Sequence, residues 1–321
     1  MSQNSTKPDK PGQVADAITG NWVDNFAPIK LRPYLRLSRA DRPIGTWLLL
    51  IPCWWGLLVG ILEDEQVVFN DFWLLFSCSI GAFLMRGAGC TWNDILDRKI
   101  DGAVERTKSR PIPSGQVTLT QAIIWMMVQI ALAGLILLSY NFNSIILGLS
   151  SLFLIVIYPL AKRFTWWPQA FLGLAFNWGI LLLFAAHTGS LKWPIIALYF
   201  AGIFWTLFYD TIYAYQDSQD DLIIGVKSTA ILFGEHAKKW LFSFILFCFV
   251  LMAVSVFIIT QERTILSKFL SFIGVLSFSL HLFSQWKNFD ANDSQVLLSL
   301  FRSNRNAGFI FAIFLCLAIW V

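Results

Sequence analysis

Charge is scarce in this chain. Only 14% of its 321 residues are Asp, Glu, Lys or Arg, 56% are hydrophobic, and the mean hydropathy is +0.61. A soluble domain needs a charged surface, so that class is excluded. Cysteine is equally thin: Cys53, Cys78, Cys90, Cys248 and Cys316 lie scattered in apolar segments. Without paired spacing they exclude a disulfide framework and a zinc site, and read as small buried residues. His187, His236 and His281 stand apart from one another. The net charge of +4 reads as a topological signature rather than a nucleic-acid face. Residues 1–30 lack both arginine and the apolar core of a signal peptide, so no cleaved targeting sequence is expected. They read as a mobile, polar N-terminal tail, with 31–321 as a single transmembrane domain.

What is present is a series of apolar runs long enough to cross a bilayer. They fall at about 44–62, 71–90, 119–139, 143–161, 167–187, 193–210, 238–259, 266–285 and 304–321. The pattern predicts an all-α polytopic membrane protein, a bundle of about nine helices around a central cavity. Fifteen Trp and 29 Phe suit interfacial belts and lipid-facing surface. The basic residues test this topology independently. With the N-terminus cytoplasmic, 20 of the 24 Lys and Arg residues count to the cytoplasmic side, span ends included; Lys192, Arg263 and Lys268 count to the far side, and Arg86 lies within a span. That asymmetry is what the positive-inside rule expects. The two long connections, about 91–118 and about 211–237, are then both cytoplasmic.

Those connections carry acids. Asn93, Asp97 and Asp101 follow at intervals of four, as do Asp217 and Asp221, and a constant offset of 120 residues relates the two pairs. A spacing of four stacks side chains on one helix face, where like charges repel. A divalent cation removes the repulsion, and hard oxygen ligands suit Mg2+. The constant offset suggests two halves facing each other around one cavity. Arg86, seven residues before Asn93, shares the face of the first column. It reads either as a snorkelling anchor or as a cavity guanidinium able to grip a carboxylate.

Cations accompany the acids. Arg110 lies in a Pro- and Gly-rich turn region with Arg106 and Lys108, which read equally as ordinary loop charge. Tyr158, Lys162 and Arg163 close the fourth span, and Lys227 follows the second acidic stretch. Acids for Mg2+, cations for anionic oxygens and an apolar bundle beneath are the parts needed to bind a diphosphate with a long hydrocarbon tail. Such a molecule is a polyprenyl diphosphate.

At these residues the chain resembles the UbiA superfamily of intramembrane prenyltransferases. Asn93-x-x-x-Asp97-x-x-x-Asp101 is similar to its first signature, Asp217-x-x-x-Asp221 to its second, and Tyr158-x-x-x-Lys162 to a third. Residues 42–45, 87–94, 109–115, 209–217 and 225–234 resemble the branch that prenylates 4-hydroxybenzoate. The resemblance runs from about residue 34 to the C-terminus. It implies Mg2+-dependent transfer of a polyprenyl group to the ring carbon ortho to the hydroxyl of 4-hydroxybenzoate, in ubiquinone biosynthesis. Asn93, Asp97, Asp101, Asp217 and Asp221 would hold the metal, and Tyr158, Lys162, Arg163, Arg110 and Lys227 the diphosphate. Arg86 and Asn93 would receive the acceptor. Asp210 would orient the phenol or take the ring proton, or else act as a structural partner at a helix end.

The expected setting is a bacterial inner membrane, with the N-terminus and the site loops cytoplasmic, or the mitochondrial inner membrane in a eukaryote. The bilayer and the two substrates are the expected partners; no nucleic acid and no obligate protein partner is evident. Homogentisate, naphthoate and haem remain open as other acceptors. A transporter is the alternative of another class, but its ionisable groups belong near the bilayer midplane, whereas these acids cluster at one face.

Overall fold

A computed structural model describes residues 14, 17, 20–103, 107–218, 222–223 and 225–321. All regular elements among them are helical. They are α1 (Trp22–Asn25), α2 (Arg32–Leu37), α3 (Ile44–Asp64), α4 (Phe69–Ala103), α5 (Leu119–Leu137), α6 (Phe142–Phe164) and α7 (Pro168–Phe176). There follow α8 (Trp178–Thr188), α9 (Trp193–Ala214), a 3-10 turn (Tyr215–Asp217), α10 (Thr229–Phe233), a second 3-10 turn (Gly234–His236), α11 (Ala237–Ile259), α12 (Ile265–Lys287) and α13 (Ser294–Ile319).

Eight segments among the described residues are long and apolar enough to cross a membrane, which makes this a multi-pass membrane protein. The ninth expected run, 304–321, is helical within α13. Arg302, Asn304, Arg305 and Asn306 lower the apolar character of its first half, so α13 is not among those eight. The run expected at 167–187 is two helices, broken at Asn177. Its side-chain amide donates to Gly173 O at 2.9 Å and to Thr206 Oγ1 at 2.8 Å, which ties the break to α9.

The longest helix positions the first acidic stretch. At 1.5 Å per residue the 35 residues of α4 extend about 52 Å, well beyond a hydrocarbon core of about 30 Å. The overhang carries Asn93, Asp97 and Asp101 on one continuous helix, as their four-residue spacing predicts, so the long connection begins after Ala103 rather than near residue 91.

The chain divides into two compact units. The first comprises residues up to Thr46 and Ser79–Ile136. Leu37, Ile95, Val117 and Ala122 pack together there, with Tyr34, Trp92, Ile112 and Met126 around them. Ser38 fastens the segment before α3 to α5, accepting from Trp125 Nε1 at 2.9 Å and Gln129 Nε2 at 3.0 Å. The expected tail ends before residue 30. Val23 and Ala27 pack on Ala40, and Asp24 pairs with Arg36 at 2.7 Å, because that stretch supplies both an apolar face and a counter-charge. Residues 1–13 lie outside the described residues.

The second unit comprises Trp47–Cys78 and Leu137–Val321. Its centre is aromatic. Trp55 stacks on Trp205 at 4.9 Å, with Phe278 and Phe311 edge-on to Trp55 at 5.6 and 5.1 Å. Its polar tips link neighbouring helices: Trp55 Nε1 donates to Gly308 O, Trp205 Nε1 to Asn304 Oδ1, and Asn304 Nδ2 to Gln285 Oε1. In lipid, close packing and such bonds hold helices together, since burying apolar surface there gains little. At the end of this unit opposite Lys162, His187 Nδ1 lies 2.6 Å from Asp71 Oδ1 and Nε2 3.1 Å from Asp64 Oδ1, tying α8 to α3 and α4. Four of the cysteines are buried as expected, whereas Cys316 is exposed on α13.

Two outcomes follow from this packing. A methyl group at Gly56 would overlap the Ile180 carbonyl oxygen, whereas Gly134 has open space beside it. Gly56→Ala should cost about 2 kcal/mol, read as a lower Tm in detergent, with Gly134→Ala no less stable than the parent. Burial pushes the Asp24 carboxyl up, but hydrogen bonds from Arg36 and Asn21 outweigh it and hold the group below its ordinary range. Its contribution to stability is therefore present above about pH 4 and is lost as the pH falls through the lower folded value. Asp24→Asn should lose stability at neutral pH and show a shallower loss in acid, measured by thermal unfolding across pH 3–7.

Candidate active site

In the first unit the acidic column lies along the last turns of α4. Asp97 and Asp101 are 2% and 5% exposed, so both carboxylates are nearly removed from water, while Asn93 and Arg86 are half-buried. The Arg86 guanidinium lies directly over Gly45: a methyl there would come within 2.7 Å of Nε and Nη2. The glycine of the 42–45 motif thus leaves room for the arginine. Arg110 sits in the turn after α4, a region closed by the Val117 N to Pro111 O bond and by Gly115, whose φ of +74° suits glycine. Thr107 Oγ1 ties this turn to Asp101 O at 2.9 Å. Lys108 is exposed, and Arg106 lies outside the described residues.

One pairing differs from expectation. Arg110, read as a diphosphate ligand, reaches Asp101, read as a metal ligand, with Nη1 2.9 and 3.0 Å from its two oxygens. The same nitrogen is 3.5 Å from Asp94 Oδ1. Asp94 is fully buried and also accepts from Arg39 Nη2 at 2.5 Å. Neither Arg39 nor Asp94 was singled out from the sequence. Asp94 lies one position, or about 100°, off the column, and Arg39 is 55 residues away in the chain. The signal available was a carboxylate beside Asn93 that the four-residue spacing left unexplained.

In the second unit the segments that bear the cations are joined through their backbones. Tyr158 and Lys162 are half-buried in the last turns of α6 and Arg163 is exposed, at a C-terminus whose dipole favours positive charge. Lys227 N donates to Lys162 O at 3.0 Å. Lys227 Nζ lies 3.4 Å from Phe164 O and 5.7 Å from the Trp166 ring centre. The 225–234 segment is clamped to α9 and α7: Thr229 Oγ1 meets Thr211 Oγ1 at 2.7 Å, and Thr229 N donates to Gln169 Oε1 at 3.1 Å. Asp210 is half-buried in the last turns of α9, and Asp217 ends the 3-10 turn that follows. The expected column from Asp217 to Asp221 lies partly outside the described residues, since Asp221 is not among them.

Asn93, Asp97 and Asp101 offer hard oxygen donors of the kind Mg2+ prefers, and two are buried charges that a cation would compensate. The residues present fit that ion. Among the described residues no three His, Cys, Asp or Glu side chains already converge as a metal cluster.

A helical multi-pass membrane protein with buried carboxylates on one overhanging helix and clustered cations at other helix ends is a distinctive class. Within it, the chain belongs to the UbiA prenyltransferase family, whose model matches residues 49–319. It is 45% identical over 296 residues to the mitochondrial 4-hydroxybenzoate polyprenyltransferase of Dictyostelium discoideum, covering 92% of this chain and 62% of that protein. The Bos taurus protein of the same name is 45% identical over 295 residues, covering 92% of this chain and 77% of the other. Thus the chain spans under two thirds of the Dictyostelium relative's length. A UbiA homolog from Archaeoglobus fulgidus bound to GPP and Mg2+ matches the fold with a TM-score of 0.66 at 19% identity, covering 90% of this chain and all of that one.

Gly45→Ala is expected to displace the Arg86 side chain while leaving the fold in place. If Arg86 receives the acceptor carboxylate, KM for the aromatic substrate rises about tenfold, the size of one charged contact, and KM for the prenyl donor stays unchanged. Steady-state kinetics in membranes checks this.

Proposed function

We propose that this protein transfers a polyprenyl group from polyprenyl diphosphate to 4-hydroxybenzoate, at the ring carbon ortho to the hydroxyl, with Mg2+ and release of diphosphate. The observation that carries this reading is 45% identity, across 92% of this chain, to proteins described as 4-hydroxybenzoate polyprenyltransferases. The Archaeoglobus homolog's GPP and Mg2+ support the donor and the metal.

In this reading Asn93, Asp97, Asp101 and the second acidic stretch, Asp217 with Asp221, hold Mg2+. When bound, the ion supplies Lewis-acid stabilisation of charge building on the leaving diphosphate. Lys162, Arg163, Lys227 and Arg110 share that stabilisation, each through charge-assisted hydrogen bonds, and Tyr158 adds a hydroxyl. The bond between the prenyl C1 and the diphosphate oxygen breaks, and the electron pair leaves with the diphosphate. The ring carbon of the acceptor forms the new carbon–carbon bond to C1. Its proton is then lost to restore aromaticity, and Asp210 orients the phenol or accepts that proton. Arg86, with Asn93, holds the acceptor so that the carbon ortho to the hydroxyl faces C1. Apolar surroundings keep water from the allylic cation.

We assign the reaction to ubiquinone biosynthesis at an inner membrane. The relatives' mitochondrial names weigh toward the mitochondrial membrane over the bacterial one expected from the sequence.

Membranes containing the protein, given labelled 4-hydroxybenzoate and a short polyprenyl diphosphate, should form prenylated product with Mg2+ and none with EDTA. Asp97→Asn and Asp217→Asn should each lower the rate by at least about 100-fold, the scale of losing a transition-state electrostatic group. Absence of product from correctly inserted wild-type protein would overturn the assignment. Homogentisate and naphthoates would then be the next acceptors.

A further inference from the structure

Among the described residues Arg110 is the only side chain bound to the Asp101 carboxylate. Asp94 stands differently. Its Oδ1 already has Arg39, whose own position is set by donation from Nη1 to Arg36 O at 3.2 Å and by a left-handed backbone, φ +56°, uncommon outside glycine. Loss of Arg110 would therefore leave Asp94 paired and Asp101 bare. Arg110 is held between a permanent partner's carboxylate and a carboxylate that depends on it alone.

We infer that the Arg110–Asp101 pair is an exchangeable latch, closed at rest and opened by the metal diphosphate. The inference rests on the metal-dependent reading above. On arrival of the substrate, Arg110 passes from Asp101 to the diphosphate oxygens, and Asp101 passes from Arg110 to the metal. The Arg39–Asp94 pair stays intact as the fixed point beside which Arg110 moves. Neither state leaves a buried charge unpaired, the condition a nearly dry site imposes. Intermediate states, with metal alone or diphosphate alone, lack this balance: metal alone must compete with Arg110 for Asp101. Metal and diphosphate thus assist each other, and the coupling is reciprocal. Arg39 and Asp94 are positioning residues in this scheme, and Arg110 and Asp101 the exchanging pair.

The test is Mn2+ binding to the full chain in detergent without any diphosphate, followed by electron paramagnetic resonance of the free ion. Arg110→Gln frees Asp101 and should bind Mn2+ about tenfold more tightly than wild type, within the usual range of such couplings. Arg110→Lys, which keeps a cation but loses the fork, should show a smaller gain. Asp101→Asn should bind weakly whether or not Arg110 is also replaced, so the gain vanishes in the double variant. Arg110→Gln should also raise KM for the prenyl diphosphate. Unchanged or weaker Mn2+ binding in both Arg110 variants would overturn the latch. Wild-type product formation is assayed in parallel: product without the Mn2+ gain removes the latch alone, whereas no product removes the proposed reaction whatever the Mn2+ result.

Discussion

Charges taken out of water must be given partners, and this requirement organises the first unit. Asp94, Asp97 and Asp101 are each 5% exposed or less on one helix, an arrangement that would repel itself without compensation. Arg39 and Arg110 supply part of that compensation from segments before and after α4. To bring Arg39 into place the chain accepts a left-handed residue, and to bring Arg86 over α3 it requires Gly45. Motifs that look like separate signatures in the sequence are therefore one electrostatic assembly, each supplying a charge or the space for one.

The second unit meets the same requirement with neutral groups. Indole N–H groups, asparagines and glutamine are buried between helices, and they are linked in chains such as Trp205 to Asn304 to Gln285. Glycine 308 lets Trp205 and Ile51 approach the α13 backbone closely. Such close packing suits helices that gain little from hydrophobic association in lipid. The 225–234 segment then fastens Lys227 beside the end of α6, so the cations owe their positions to hydrogen bonds among Thr211, Thr229 and Gln169.

These features give the family signatures a physical division of labour. Some residues have the chemistry of ligands, such as Asp97 and Lys162. Others exist to hold those ligands: Ser38 and Gln129 fix the segment that bears Arg39, and Gly115 closes the turn that bears Arg110. A substitution in the second group would reach the chemistry through geometry, and a motif search alone would not tell the groups apart.

Helical class and most spans were legible in the sequence, because length and hydropathy decide membrane crossing residue by residue. The acids of α4 were legible for a similar reason: a four-residue spacing needs only helix geometry to define a face. What the sequence could not yield was pairing between segments. That Asp101 belongs to Arg110, that Arg39 answers Asp94 across 55 residues, and that Asn177 breaks a span and bonds Thr206 on the next helix all depend on distances set by packing. At the end of α9 the tightening to a 3-10 turn at Tyr215 coincides with the bond from Tyr215 OH to Gly234 O, a contact no local spacing encodes. Sequence alone determined which groups the protein carries to the membrane surface. Tertiary structure decided which of them neutralise one another, because ion pairing falls off with distance in space and is indifferent to distance along the chain.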